Sequence, residues 1–260
     1  MMKNGMTFCG EDSRPAPFSC GAFGLMNEFM PSDQGTYESA VPGKGSFLKM
    51  GVGILLRTTE GPYSQKADYP VVRVPEVVER HSDSSYRSVL SQSDYYGYSY
   101  ILEKEIRVRD YEMEYRYKLQ NSGTKVLSFG EYVHNFYRLG TGSKAEDYRL
   151  SGNLKAMPEQ KEVLLKSGHS FRLPPFQETC ACRLMGWQLE EADSPFFLRL
   201  SNPANGLYVQ ETTEAPVVRS FLWALPDTVC PEMIVQMKAL PGETVGWKRT
   251  YQFGQQKKAC

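Results

Sequence analysis

The chain has only three histidines and three tryptophans in 260 residues, and its six cysteines contain no CxxC unit. Cys9, Cys20, Cys180, Cys182, Cys230 and Cys260 therefore match neither a redox dithiol nor a paired-cysteine zinc motif. His81, His134 and His169 stand at no metal-site spacing from a cysteine pair, so no metal site is expected. No uninterrupted apolar run approaches the roughly 20 residues that cross a bilayer. The beginning, Met1-Met2-Lys3-Asn4-Gly5-Met6-Thr7-Phe8-Cys9-Gly10, lacks the apolar core of a secretory leader, and a reducing cytoplasm is the default expectation. Net charge is missing as well: 30 basic and 30 acidic side chains cancel, which gives no reason to expect nucleic acid or an anionic membrane as partner. Long amphipathic helical periods are also lacking, although short helices fit between Val74 and Arg80 or in loops.

What is present is alternation. Residues 98 to 109 and 111 to 119 repeat apolar or aromatic with charged positions at period two, and the Asn121-Ser122-Gly123-Thr124 turn leads into Lys125 to Phe129. This predicts an antiparallel meander with one apolar face and one charged face. A hairpin follows at 162 to 173, then strands near 196 to 200, 206 to 210, 217 to 223, 232 to 236 and 244 to 253. Many strands, 16 tyrosines and no repeat of fixed length predict an all-β fold, a large antiparallel sandwich forming one domain.

Two residues carry the chemistry. His134 lies in Glu131-Tyr132-Val133-His134-Asn135-Phe136-Tyr137-Arg138, and histidine is the side-chain type suited to giving or taking a proton in acid/base chemistry. Glu232 follows Cys230-Pro231 almost a hundred residues downstream. An imidazole and a carboxylate brought together would make an acid/base pair; apart, they read as a hydrogen-bonded strand histidine and a solvent-facing carboxylate.

The chain resembles the galactose mutarotase-like superfamily, the aldose 1-epimerase group. The resemblance runs in order through Gly24-Leu25-Met26-Asn27-Glu28-Phe29, Phe47 to Arg57, Tyr98-Ser99-Tyr100 with Lys104, Tyr132 to Tyr137, Pro231-Glu232, Leu240 to Glu243 and Trp247. It implies a supersandwich whose concave face binds a monosaccharide or modified hexose. It also implies cofactor-free ring opening, with His134 protonating the ring oxygen and Glu232 taking the proton of the anomeric hydroxyl. In that setting Arg57 reads as a donor fork for sugar oxygens or as a rim ion pair, and Asn27 and Glu28 either contact substrate or fasten a loop. Lys104 reads as a substrate contact or a solvated strand charge. Trp223 reads as a stacking wall, aided by Tyr100 or Tyr137, or as core. Trp247 reads as packing in the closing strand, and His169 as a turn residue. His81 reads as a loop residue at the edge of the site or as plain surface.

The family's upstream second histidine and its sugar-contacting aspartate have no counterpart. Two other readings stay open: a noncatalytic carbohydrate-binding or sensing protein, and a sugar-phosphate epimerase with Arg138, Lys144 and Arg149 as cationic donors. Oligomeric state is not legible.

Overall fold

The structure is a computed structural model. It describes residues 2–3, 6–7, 27–30, 36–64, 67–152, 154–156, 165–167, 170–175, 180–183, 187–189 and 195–256. His169 lies outside the described residues, and so do the side chains of Cys9, Cys20, Cys180, Cys182 and Cys260.

Two antiparallel sheets form the body. The larger has ten strands in the order Leu165–Ser167, Ser170–Arg172, Arg149–Gly152, Phe196–Ser201, Leu207–Glu214, Thr244–Gln255, Glu112–Asn121, Tyr98–Arg109, Ser85–Tyr95 and Glu76–His81. The smaller has five, in the order Cys180–Arg183, Val217–Ala224, Val229–Ala239, Leu127–Val133 and Asn27–Met30. A three-stranded sheet, Ser46–Lys49, Gly53–Leu56 and Val71–Arg73, flanks them. The all-β sandwich expected from the alternation is thus observed. No helix among the described residues is long and apolar enough to cross a membrane.

The alternation explains the layers. Along Glu112–Asn121, Tyr115, Tyr117 and Leu119 are buried while Arg116 and Lys118 are exposed. The paired strand Thr244–Gln255 buries Trp247, Arg249, Tyr251 and Phe253 on the same phase. Trp247 stacks on Tyr117 with centroids 4.7 Å apart, and Phe29 and Phe129 of the five-stranded sheet pack against that pair. Trp247 is therefore the packing residue expected. Tyr96 and Gly97 both take positive φ in the two-residue turn between Tyr95 and Tyr98, the turn geometry that matches strand twist.

Three expectations need correcting. The Ser85–Tyr95, Tyr98–Arg109 and Glu112–Asn121 strands do form a meander, but Leu127–Val133 leaves it for the five-stranded sheet, and Glu112–Asn121 pairs instead with Thr244–Gln255. The stretch from Val74 to Arg80 is not helical; Glu76–His81 is the edge strand of the ten-stranded sheet. Tyr100 and Tyr137, offered as help for a sugar wall, are buried core residues.

Between the sheets lies a buried charge network. Arg249 donates to Glu131 Oε2 from Nε at 3.0 Å and Nη2 at 2.6 Å, and from Nη1 to Glu211 Oε1 at 2.7 Å. It also donates to Thr213 Oγ1 and the Met233 carbonyl. Such burial is tolerated because the guanidinium fork finds acceptors for several of its donors.

Candidate functional site

The five-stranded sheet has two faces, and alternation sorts its side chains between them. On Leu127–Val133, Leu127, Phe129, Glu131 and Val133 point into the sandwich. Tyr132 takes the opposite phase, and His134 follows immediately. On Val229–Ala239, Met233 and Val235 belong to the core, which leaves Cys230 and Glu232 on the phase of His134.

The backbone between these strands opens at this point. Their ladder ends at Tyr132 opposite Ile234 and is met again only as the single bridge between Tyr137 and Val229. Pro231, which has no N–H to donate, falls in the interval and removes a reason for the strands to stay zipped. His134 occupies that interval.

The result is a compact cluster. His134 Nε2 lies 3.0 Å from Glu232 Oε1, with side-chain exposures of 25% and 16%. Cys230 Sγ sits 3.4 Å from His134 Nδ1, which orients the ring from its other side. Cys230 is a thiol, fully buried. Phe136 packs at 4.7 Å from the imidazole, and Trp223, opposite Cys230 in the next strand, lies edge-on to Phe136 at 5.4 Å. Trp223 remains half-buried, with its ring centre 6.2 Å from that of His134.

A second polar group adjoins the first through Tyr132. Its hydroxyl donates to Glu28 Oε2 at 2.6 Å, and Glu28 also pairs with Lys49. Lys49 in turn donates to Tyr63 Oη at 3.1 Å. Burial, the Glu28 carboxylate and the nearby Glu232 charge all raise the Tyr132 pKa, so the phenol keeps its proton. Burial opposes the charge of Lys49, but Glu28 and Tyr63 outweigh it, and its pKa is raised. The flanking sheet matters here because Lys49 ends one of its strands and Tyr63 lies in the loop between two others.

The expected site residues divide. His134, Glu232 and Trp223 come together, with Glu28 linked to them through Tyr132. Asn27 has the inward phase and donates to Glu131 Oε1 at 2.7 Å, so it fastens the strand that carries Glu28. Arg57 departs from its expected role as a sugar clasp. Its fork donates to the carbonyls of Tyr37, Ala40, Thr59, Glu60 and Gly61 at 2.9 to 3.2 Å, and its guanidinium lies 4.4 Å from the Tyr37 ring centre. Those bonds shape the loop leading to Tyr63.

Lys104 is half-buried, on the strand phase of Tyr100 and Leu102. Its Nζ lies 5.3 Å from the Tyr115 ring and 5.8 Å from the Tyr117 ring inside the sandwich, where burial lowers its pKa against the pull of Glu131. His81 ends the exposed edge strand, 3.8 Å from Glu79 and beside Tyr86, away from the cluster. Tyr132, Lys49, Tyr63, Phe136 and Cys230 were not anticipated. For Cys230 a signal existed, since it shares strand phase with Glu232.

The cationic donors considered for a phosphate are already engaged. Arg138 pairs with Asp227, Lys144 lies 3.8 Å from Glu146, and Arg149 donates to the Asp147 and Tyr148 carbonyls. Arg138, Lys144, Glu146 and Asp227 line a cleft of about 660 Å³ in which both signs of charge are present.

No family model matches the sequence, and no curated protein matches it significantly. Solved structures do. A galactose mutarotase-like protein from Clostridium acetobutylicum superposes with a TM-score of 0.55 at 11% identity, covering 90% of this chain and 80% of that one. A galactose mutarotase-like protein from Lactobacillus casei gives 0.55 at 12% identity, covering 88% and 85%. A galactose mutarotase related enzyme from Lactobacillus acidophilus gives 0.50 at 15%, covering 70% and 71%. Together with the two-sheet architecture, these likenesses identify the fold of this chain as the galactose mutarotase-like fold.

Proposed function

We propose that this protein is an aldose 1-epimerase-like isomerase that interconverts the anomers of a free or modified hexose. The observation that carries the reading is the 3.0 Å contact between His134 Nε2 and Glu232 Oε1 at a partly open, aromatic-walled face. The ring oxygen and the anomeric hydroxyl of a pyranose are attached to one carbon, so the acid and base that serve them must be neighbours. A sugar entering the cluster replaces the direct contact with one hydrogen bond to each oxygen.

His134, as imidazolium, gives its Nε2 proton to the ring oxygen while Glu232 removes the proton of the anomeric hydroxyl. The C1–O5 bond breaks and C1 becomes an aldehyde. Rotation about C1–C2 exposes the other carbonyl face. The reverse transfers then close the ring as the opposite anomer and restore both groups, so the net reaction consumes nothing and needs no cofactor. Cys230 holds the imidazole from Nδ1. Trp223 offers a surface for the apolar face of the sugar. Glu28, Tyr132, Lys49 and Tyr63 supply donors and acceptors for hydroxyls farther from C1.

The test is NMR exchange between anomers over a panel of aldoses, at a pH where spontaneous exchange is slow. Protein-dependent exchange should fall by about 100-fold or more in His134→Ala and in Glu232→Gln, the range general acid–base groups contribute. Circular dichroism must show both variants folded. Exchange undiminished in either folded variant would refute the assignment, and saturable binding without exchange by the native chain would make it a carbohydrate-binding protein.

A further inference from the structure

The spacing of cysteines and histidines in the sequence gives no reason to expect a metal, yet the fold builds a donor set that the spacing hides. His134, Cys230 and Glu232 each offer one ligand atom, and these atoms all lie within 4.8 Å of one another. We propose that the three residues form a three-ligand site for a zinc-class divalent cation, and that occupation of this site excludes proton transfer by the same histidine and glutamate. The exclusion rests on the acid/base reading above, whereas the binding does not.

Chemistry selects the ion. One imidazole nitrogen, one thiolate and one carboxylate make a mixed N, S, O set that suits zinc and its spectroscopic substitute cobalt, while calcium and magnesium prefer oxygen alone. The thiolate and carboxylate together balance the double positive charge, with the imidazole neutral. Phe136 and Trp223 shield one side of the cluster, which strengthens that attraction.

Geometry is close to what coordination requires. Around a tetrahedral zinc ion, donor atoms lie about 3.3 to 3.8 Å apart given the usual bond lengths. His134 Nδ1 and Cys230 Sγ are already 3.4 Å apart. Glu232 now faces Nε2, and its two-methylene arm must carry the carboxylate around the ring edge to join them. Three protein ligands leave a fourth position, open to water or a sugar oxygen, on the side where His134 and Glu232 are partly exposed. With the Nδ1 lone pair on the metal the imidazolium acid cannot form, the Nε2–H that remains is a far weaker acid, and the coordinated carboxylate is a far weaker base, so the pair no longer exchanges protons with a sugar.

The chain should be stripped with chelator and titrated with Co²⁺, followed by displacement with Zn²⁺. One equivalent should bind and produce a thiolate-to-cobalt absorption band. Cys230→Ser should abolish the band and weaken binding by more than about 100-fold, beyond what loss of an outer partner costs a metal site. His134→Ala and Glu232→Gln should each weaken it by about 10-fold or more. Zinc-edge X-ray absorption on the native chain needs no variant, and it should show one sulfur at about 2.3 Å.

No saturable binding, a band that survives Cys230→Ser, or a zinc shell without sulfur would overturn the site. Anomer exchange measured on the same samples separates the two readings. Exchange present in stripped protein and lost on loading supports the exclusion, and exchange that persists at full loading overturns it. A stripped chain that binds the metal through these residues but never exchanges anomers would leave the cation site standing and remove the acid/base reading.

Discussion

Glu211 gives the sharpest prediction about stability. It is fully buried, and its Oε1 accepts from Arg249 Nη1 at 2.7 Å and from Thr213 at 3.2 Å, whereas its Oε2 has no hydrogen-bond partner among the described residues. Arg249 also serves Glu131, so one guanidinium faces two carboxyl groups. Burial dominates and pushes the Glu211 carboxyl from its ordinary 4.5 up to about 7, against the pull of Arg249 and with the push of Glu131. The folded chain therefore holds this proton more tightly than the unfolded chain does. Between about pH 4.5 and pH 7 the unfolded state has lost a proton that the folded state keeps, and the free energy of unfolding falls as pH rises.

At about 1.4 kcal/mol for each tenfold change in proton affinity, the fall attributable to Glu211 between pH 5 and pH 8 is roughly 2 to 3 kcal/mol. Glu211→Gln mimics the protonated acid at every pH and should remove that slope. Urea unfolding of native chain and variant at several pH values from 5 to 8 gives the comparison. Contributions from other titrating groups cancel in the difference. The variant should gain on the native chain by roughly 2 to 3 kcal/mol from the acid to the alkaline end, whatever fixed offset the amide introduces. Parallel curves, or a variant that loses most at pH 8, would show that Glu211 is ionised in the fold and held so by Arg249.

Other substitutions separate structure from site. Arg57→Lys removes a planar fork and leaves several loop carbonyls without donors, so the urea midpoint should drop by an amount corresponding to about 2 to 4 kcal/mol; a drop below 0.5 kcal/mol would refute that scaffold role. Tyr132→Phe deletes the 2.6 Å bond to Glu28, and unfolding measurements should register a loss of about 1 to 3 kcal/mol, since a charged acceptor loses its donor. Trp223→Ala should weaken sugar saturation in the exchange experiment by about 5- to 10-fold, the worth of one aromatic face, and unchanged saturation would move Trp223 from the sugar wall to the packing around Phe136.

The strands were legible because each carries a period-two pattern with one apolar phase. Their assignment to layers was not, since both sheets are half-buried and write the same pattern. Nothing in Leu127–Val133 says locally that it pairs with Val229–Ala239 in place of Glu112–Asn121. The pairing of His134 with Glu232 was inferred from a resemblance, and the physical reason they meet, a gap in the ladder around Pro231, depends on that same non-local register. Lys49 reaches the site from a strand of a separate small sheet and Tyr63 from the loop between two of its strands, a placement that no pattern around His134 encodes.

The buried charges, by contrast, left a trace that phase alone exposes. Arg249 alternates with Trp247, Tyr251 and Phe253, Glu131 with Phe129 and Val133, and Glu211 with Val209 and Thr213. A charged residue on the apolar phase of a long strand must find its counter-charge inside the sandwich or not be charged at all. One arginine and two glutamates so placed on three strands therefore imply a shared interior network before any coordinate is known. Lys104, on the apolar phase of its own strand, attracts Glu131 as Arg249 does, whereas Arg249 is the cation paired with Glu211, so Glu211 is the acid left to hold a proton more tightly than usual. Glu211, with one oxygen bonded and, among the described residues, one not, is the acid that the geometry selects.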